Sequence, residues 1–174
     1  MNFHYCVGGL LLLARFLTAA DQSTLDNWPH YGGTQSAWRH SALAQVNRSN
    51  VQKLKPVWAF QTGDVDGGLQ ATPIVLDGVM YISTSWNHIY AIDAVNGKEI
   101  WSFKYPKPAQ GATFYGPWNR GVAVNETSVF IGTLDNNVVA VDRKTGKEQW
   151  RVNVEDPKQC GCNITGAPLL VKDR

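Results

Sequence analysis

Chemistry in this chain of 174 residues has to come from a small set of side chains. Cys160 and Cys162 flank a single glycine, a pair that either closes a disulfide, remains a free dithiol, or holds a metal weakly. Asp64-Val-Asp66-Gly67-Gly68 has the opening of a calcium loop but lacks the third oxygen ligand and the distant glutamate, so it reads as a turn. The four histidines show neither an HExxH motif nor paired spacing and read as surface or internally satisfied residues. Asn47-Arg-Ser49, Asn125-Glu-Thr127 and Asn163-Ile-Thr165 fit the glycosylation pattern, which matters only in a secreted eukaryotic protein. None of these groups alone defines a reaction, so the elements that position them come next.

The chain repeats itself. His88-Ile-Tyr-Ala-Ile-Asp-Ala-Val-Asn-Gly-Lys-Glu-Ile-Trp101 recurs as Asn137-Val-Val-Ala-Val-Asp-Arg-Lys-Thr-Gly-Lys-Glu-Gln-Trp150, an offset of 49 residues that also carries Tyr81-Ile-Ser-Thr84 onto Phe130-Ile-Gly-Thr133. Within one period the apolar runs are short and β-branched, and turn signals separate them. This pattern predicts four strands near 72–76, 80–84, 89–93 and 99–103. Asn96-Gly97 and Thr145-Gly146 supply the positive φ of a tight hairpin, with Asp93 and Asp142 placed to accept hydrogen bonds from the loop amides. Trp101 and Trp150 then fall at one place in successive units, where a large ring is expected to be buried between neighbouring sheets, and Trp58 takes that place in a partial unit before them. Four-stranded repeats of about 40–50 residues stacked through aromatic contacts predict an all-β fold, a β-propeller of four-stranded blades. A β-sandwich or a pair of hairpin domains is the alternative. A third unit opens at Gly166-Ala-Pro-Leu-Leu-Val171, so about two blades are expected in these residues.

Sixteen glycines, eight prolines and seven tryptophans with only 17% charged residues describe a turn-rich folded chain, because disordered chains are poor in aromatics and rich in charge. The formal charge of +2 is scattered, with no basic run, which argues against nucleic acid as a partner. Residues 1–20 read as a signal peptide of atypical form: an apolar run from Val7 to Leu13, small residues at Thr18-Ala-Ala20, and Arg15 interrupting the stretch. The run is too short to span a bilayer, which takes about 20 apolar residues. Export to the periplasm or outside the cell would remove Cys6 and leave Cys160 and Cys162 in an oxidising compartment.

The segment from Trp28 through Tyr31-Gly32, Arg39, Leu43, Gln45-Val-Asn47, Leu54 and Pro56 to Thr62-Gly63 resembles the N-terminal segment of quinoprotein alcohol and methanol dehydrogenases that use pyrroloquinoline quinone (PQQ). Ala91-x-Asp93-x-x-x-Gly97-Lys98-x-x-Trp101 matches the tryptophan docking repeat of the same family. The resemblance covers essentially everything after the leader and implies that residues 21–174 are the N-terminal portion of an eight-bladed propeller. It also implies cofactor-binding roles, position by position. Arg120, in Asn119-Arg-Gly121, matches the arginine that pairs with a PQQ carboxylate, and a guanidinium fork suits a planar tricarboxylate because it offers parallel charge-assisted hydrogen bonds. Thr165, in Asn163-Ile-Thr-Gly-Ala-Pro168, matches a threonine that hydrogen-bonds the cofactor. Gln70 stands where the methanol enzymes have a glutamate, supplying an amide donor without adding a like charge. The family's adjacent cysteines are replaced here by Phe114 and Tyr115, whose rings could stack on the quinone in their stead. Cys160 and Cys162 lie just before Thr165 and approach the same pocket from the neighbouring blade.

The function implied is oxidation of an alcohol CH–OH group, with hydride transfer to PQQ assisted by Ca²⁺ as Lewis acid and with a cytochrome c or quinone as electron acceptor. In such enzymes the catalytic base and the calcium ligands belong to later blades, so no catalytic or metal-binding residue is assigned within 1–174. The rival reading is a non-enzymatic periplasmic propeller of the outer-membrane assembly type, which shares the tryptophan repeat but not the cofactor-binding Arg and Thr. With only one side of a cofactor pocket present, purified residues 21–174 supplied with PQQ, Ca²⁺ and an alcohol are expected to give no alcohol-dependent dye reduction. Turnover that survives deletion of the host's own dehydrogenases would contradict this.

Overall fold

The computed structural model describes residues 27–64, 66–107 and 116–172. Each sequence period folds into one antiparallel sheet. Strands β1 (Ile74–Leu76), β2 (Val79–Ser83), β3 (Ile89–Asp93) and β4 (Glu99–Phe103) form the first sheet in that order. Strands β5 (Ala123–Val124), β6 (Ser128–Gly132), β7 (Asn137–Asp142) and β8 (Glu148–Asn153) form the second. Short 3₁₀ turns at Val51–Lys53 and Ser85–Asn87 and one helix, α1 (Pro157–Cys160), complete the regular structure among the described residues. None of these helices is long and apolar enough to cross a membrane.

The strand positions read from sequence hold for β3 and β4 and shift slightly elsewhere. β1 begins at Ile74 rather than Thr72, and β2 ends at Ser83, because Thr84 N–H turns away to donate to His88 O at 2.9 Å. The repeat extends to irregularities that sequence does not display: the register slips between Ala91 and Ile92 in one sheet and between Ala140 and Val141 in the other. Both hairpins after β3 and β7 are built as the residue types require. Asp93 Oδ1 accepts from Val95 N at 2.8 Å, Asp142 Oδ1 accepts from Thr145 N at 2.8 Å, and Gly97 and Gly146 adopt φ of 73° and 69°. A residue with a Cβ pays a steric penalty in that conformation.

The core lies between the two sheets, where Tyr81, Ile89, Ala91 and Trp101 of the first meet Val124, Val129, Ile131 and Val139 of the second. Trp101 seals this contact. Its indole N–H donates to Arg143 O at 2.9 Å, and a Cβ added to Gly146 would lie 2.5 Å from the ring. Trp58 repeats the arrangement one unit earlier, donating to Ala94 O at 3.1 Å, with a Cβ at Gly97 falling 2.6 Å from its ring. Trp150 occupies the equivalent backbone position, opposite Ala140 as Trp101 is opposite Ala91. Its surroundings differ from the expectation of burial: Trp101 is 8% exposed and Trp150 is 43% exposed. The reason is geometric, since the ring is covered by the hairpin of the following sheet and no such sheet is among the described residues.

Trp28 also pairs with the free edge of β1, exchanging two backbone hydrogen bonds with Val75 at 2.8 and 3.0 Å. The N-terminal segment thereby caps an edge strand that would otherwise present unpaired amides.

Trp101→Ala is expected to destabilise the fold by about 3–5 kcal/mol, the cost of emptying a buried tryptophan site. Trp150→Ala should cost on the order of 1 kcal/mol, the worth of its contact with Phe130. Urea unfolding of the two variants side by side measures the difference, and equal losses would contradict the assigned role of Trp101.

Candidate cofactor-binding site

Gln70 and Arg120 precede the first strands of the two sheets, Thr165 precedes no strand among the described residues, and the fold brings the segments at 72, 121 and 167 together. Gly121, at φ 140°, is the point of closest approach: a Cβ there would lie 3.2 Å from Ala167 Cβ and 3.7 Å from Thr72 O. Arg120 and Thr165 are brought into direct contact. Arg120 N–H donates to Thr165 O at 2.9 Å, and its guanidinium Nη1 donates to Thr165 Oγ1 at 2.6 Å. Gln70 is exposed at its own strand entrance and bonds to neither. Phe114 and Tyr115 lie outside the described residues.

Asn119 is what holds Arg120 in place. It is 2% exposed, and its Oδ1 accepts from Ser83 Oγ at 2.7 Å and from Gly121 N at 3.1 Å. Its Nδ2 donates to Gly132 O at 2.8 Å and to Asn87 Oδ1 at 3.2 Å. The arginine thus springs from a backbone pinned to both sheets while its side chain stays exposed. No carboxylate among the described residues pairs with it. Sequence reasoning passed over Asn119 as part of a motif; a polar residue that must be buried to serve its neighbour leaves no signature in the chain order.

The turn before Thr165 is organised in the same way. Asp156 caps α1 by accepting from Lys158 N at 2.9 Å, and Gly161 ends it in the left-handed region at φ 60°. The sulfurs of Cys160 and Cys162 are bonded to each other, with their Cα atoms 5.2 Å apart. Asn136, buried and left-handed at φ 59°, donates from Nδ2 to Cys162 O at 3.1 Å and approaches both sulfurs. Asn87 and Asn136 are separated by one repeat, and each clasps the segment that leads into the next unit. Each also keeps one amide atom buried without a hydrogen-bond partner, Nδ2 in Asn87 and Oδ1 in Asn136.

Asp64 and residues 66–68 form a strap across the same end of the first sheet. Asp64 accepts from Thr84 Oγ1 at 2.5 Å, from Tyr90 OH at 2.9 Å and from His88 Nδ1 at 3.0 Å. Burial pushes the Asp64 carboxyl up, but the hydrogen bonds from Thr84, Tyr90 and His88 outweigh it and hold it below the usual carboxylate range. Burial and the facing Asp64 carboxylate push the Tyr90 phenol up, so it stays a donor. Asp66 accepts from Trp86 Nε1 at 2.7 Å and pairs with Lys107 at 3.2 Å, while Gly67 O accepts from Trp118 Nε1 at 3.0 Å. Both oxygens of Asp64 and Oδ2 of Asp66 are therefore engaged by protein donors.

A family model described as the PQQ glucose/ethanol/alcohol dehydrogenase β-propeller domain matches residues 28–149. The chain belongs to that family. The dehydrogenase subunit of a quinone-type alcohol dehydrogenase from Komagataeibacter europaeus is 41% identical over 155 residues, which is 85% of this chain and 21% of that protein. Among solved structures, the quinohemoprotein alcohol dehydrogenase from Comamonas testosteroni superposes with a TM-score of 0.77 at 36% identity, over 84% of this chain and 22% of that one. A europium-containing methanol dehydrogenase superposes with a TM-score of 0.78 at 32% identity, over 88% and 27%. The chain therefore spans about a fifth to a quarter of the length of these relatives. The PQQ-family likeness makes the two sheets successive blades of a β-propeller.

The residues present fit the group the family implies. Trp118, Arg120, Asn163 and Thr165 line a cavity of about 270 Å³, combining a guanidinium with no carboxylate partner among the described residues, a hydroxyl, an amide and a flat ring. A planar tricarboxylate needs those functions.

Because the folded value of Asp64 is depressed, its stabilisation is full above the unfolded value, about pH 4, and is lost as pH falls through the lower folded value. Asp64→Asn is expected to be less stable than the parent at neutral pH, with a gap that closes on acidification below about pH 4. Thermal unfolding against pH measures the gap; one unchanged by acid would show that the Asp64 charge contributes nothing.

Proposed function

We propose that the protein carrying this chain is an exported PQQ-dependent alcohol dehydrogenase and that Gln70, Arg120 and Thr165 form one side of its cofactor site. The observation that carries the reading is Arg120: a guanidinium fixed by its backbone between two blades, tied to Thr165 at 2.6 Å, and matched by no protein carboxylate among the described residues. When bound, PQQ supplies a quinone that takes hydride from the alcohol carbon, and a metal ion, proposed as Ca²⁺, supplies Lewis acidity.

The chain's own residues bind and orient. Arg120 keeps donors free after its bond to Thr165, and these suit one carboxylate of the cofactor by parallel hydrogen bonds. The Thr165 hydroxyl, already accepting from Arg120, has its own proton to donate. Gln70, at the adjacent strand entrance, brings an amide that is both donor and acceptor and carries no charge at any working pH. The Cys160–Cys162 turn and Asn136 hold the approach to Thr165. Residues 1–20 are proposed to direct export and lie outside the described residues. A cytochrome c or quinone is proposed as the electron acceptor; the Komagataeibacter relative carries "quinone" in its name, and a 1-butanol dehydrogenase from Thauera butanivorans carries "cytochrome c".

In the intact protein, Arg120→Ala is expected to weaken PQQ binding by on the order of 2–5 kcal/mol once the paired carboxylate is enclosed. Calorimetric titration of the apoprotein measures it. Unchanged affinity in a folded variant would show that Arg120 does not hold the cofactor.

A further inference from the structure

Trp118 is the aromatic wall of the 270 Å³ cavity that Arg120, Asn163 and Thr165 also line. It is half-buried, and no aromatic pair among the described residues includes it. Yet its ring is held tightly. The indole N–H donates to Gly67 O at 3.0 Å, and Gly67 belongs to the strap whose Asp66 is itself bonded to Trp86 and Lys107.

Two glycines make room for that ring. A Cβ at Gly67 would lie 2.7 Å from the indole nitrogen, and one at Gly116 would lie 2.7 Å from Cη2 at the opposite end of the ring. Any other residue at either place would displace the indole. Glycine weakens a backbone by widening its unfolded ensemble, so two of them around one side chain mark a position where the orientation of the ring matters. Two residues further on is the guanidinium of Arg120, bonded to Thr165 but to no carboxylate among the described residues, lining the same cavity. A rigid indole beside such a cation is a receptor for a flat, conjugated anion: the ring supplies dispersion and stacking, and the guanidinium supplies charge.

We infer that Trp118 is the aromatic wall of the cofactor site, packing its indole against the planar ring system of PQQ while Arg120 takes a carboxylate. The inference rests on the PQQ reading above. It assigns stacking to a residue of the described fold, two positions before the arginine, in place of Phe114 and Tyr115. Asn163 and Thr165, from the segment that follows the second sheet, close the cavity.

The test is calorimetric titration of PQQ into the intact apoprotein carrying Trp118→Phe or Trp118→Leu. Both variants lose the hydrogen bond to Gly67, so the difference between them reports the aromatic face alone. Trp118→Phe should hold PQQ within about threefold of the parent, and Trp118→Leu should bind it about tenfold or more weakly. The thermal midpoints of the two apoproteins should agree. Equal PQQ affinity in Phe and Leu variants that remain folded, in a protein whose binding still falls with Arg120→Ala, would overturn the role of Trp118 and leave the family reading intact. A parent protein that binds no PQQ would overturn both.

Discussion

An indole resting on a glycine of a following hairpin recurs among the described residues: Trp58, ahead of the first sheet, rests on Gly97 of that sheet, and Trp101 of the first sheet rests on Gly146 of the second. The contact works because of several coincident requirements. The hairpin needs a residue at positive φ, glycine meets that need, and the missing Cβ leaves a flat place for the ring. The indole N–H then satisfies a turn carbonyl, Ala94 O or Arg143 O, that the hairpin leaves unpaired. Stability, sheet spacing and the angle between blades all pass through this joint. The strand entrances at residues 70 and 120 precede the first strands of the two sheets that the Trp101 joint holds together, so the joint bears on how those two candidate residues are spaced.

Between those entrances the structure relies on buried amides rather than on apolar packing. Asn119 is bonded to Ser83, Gly121, Gly132 and Asn87, and Asn136 is bonded to the Cys160–Cys162 turn. An amide offers both donor and acceptor without charge, so it can tie backbone from two blades at a point where a carboxylate would demand a counter-ion. The buried unpartnered atoms of Asn87 and Asn136 sit at equivalent turns, one repeat apart. Their left-handed backbones, at φ 64° and 59°, show that the tight turn was kept in both units even though it leaves a polar atom unsatisfied.

The two ends of the sheets use charge differently. At the far end Arg143 is a structural cation, engaged by Asp77 at 2.7 Å and by Tyr81 OH at 3.0 Å, and these bonds hold its guanidinium firmly protonated against the cost of burial. At the near end Arg120 meets no carboxylate among the described residues. The contrast between two arginines of one small fold separates a group that closes a packing interface from one that is left available, and the latter lines the cavity with Trp118.

The chain order alone determined the four-strand period, the hairpin residues, the tryptophan positions and the family, because each of these is a local pattern repeated at 49 residues or a contiguous motif. The register slips at Ala91 and Ala140, the N-terminal pairing of Trp28 with Val75, and the clasping role of Asn87, Asn119 and Asn136 were decided only in three dimensions. The burial of Trp101 against the exposure of Trp150 belongs with them: identical sequence contexts acquire different environments according to which sheet lies alongside. Trp118 shows the same limit at the site itself. Two residues from a recognised arginine, it carried no motif of its own. Its orientation depends on Gly67, 51 residues away, and on a cavity bounded by residues 163 and 165 of the segment that follows the second sheet. Long-range contacts of this kind leave no periodic trace, since they depend on how far the sheets are rotated about the tryptophan joints and not on the spacing of residues along the chain.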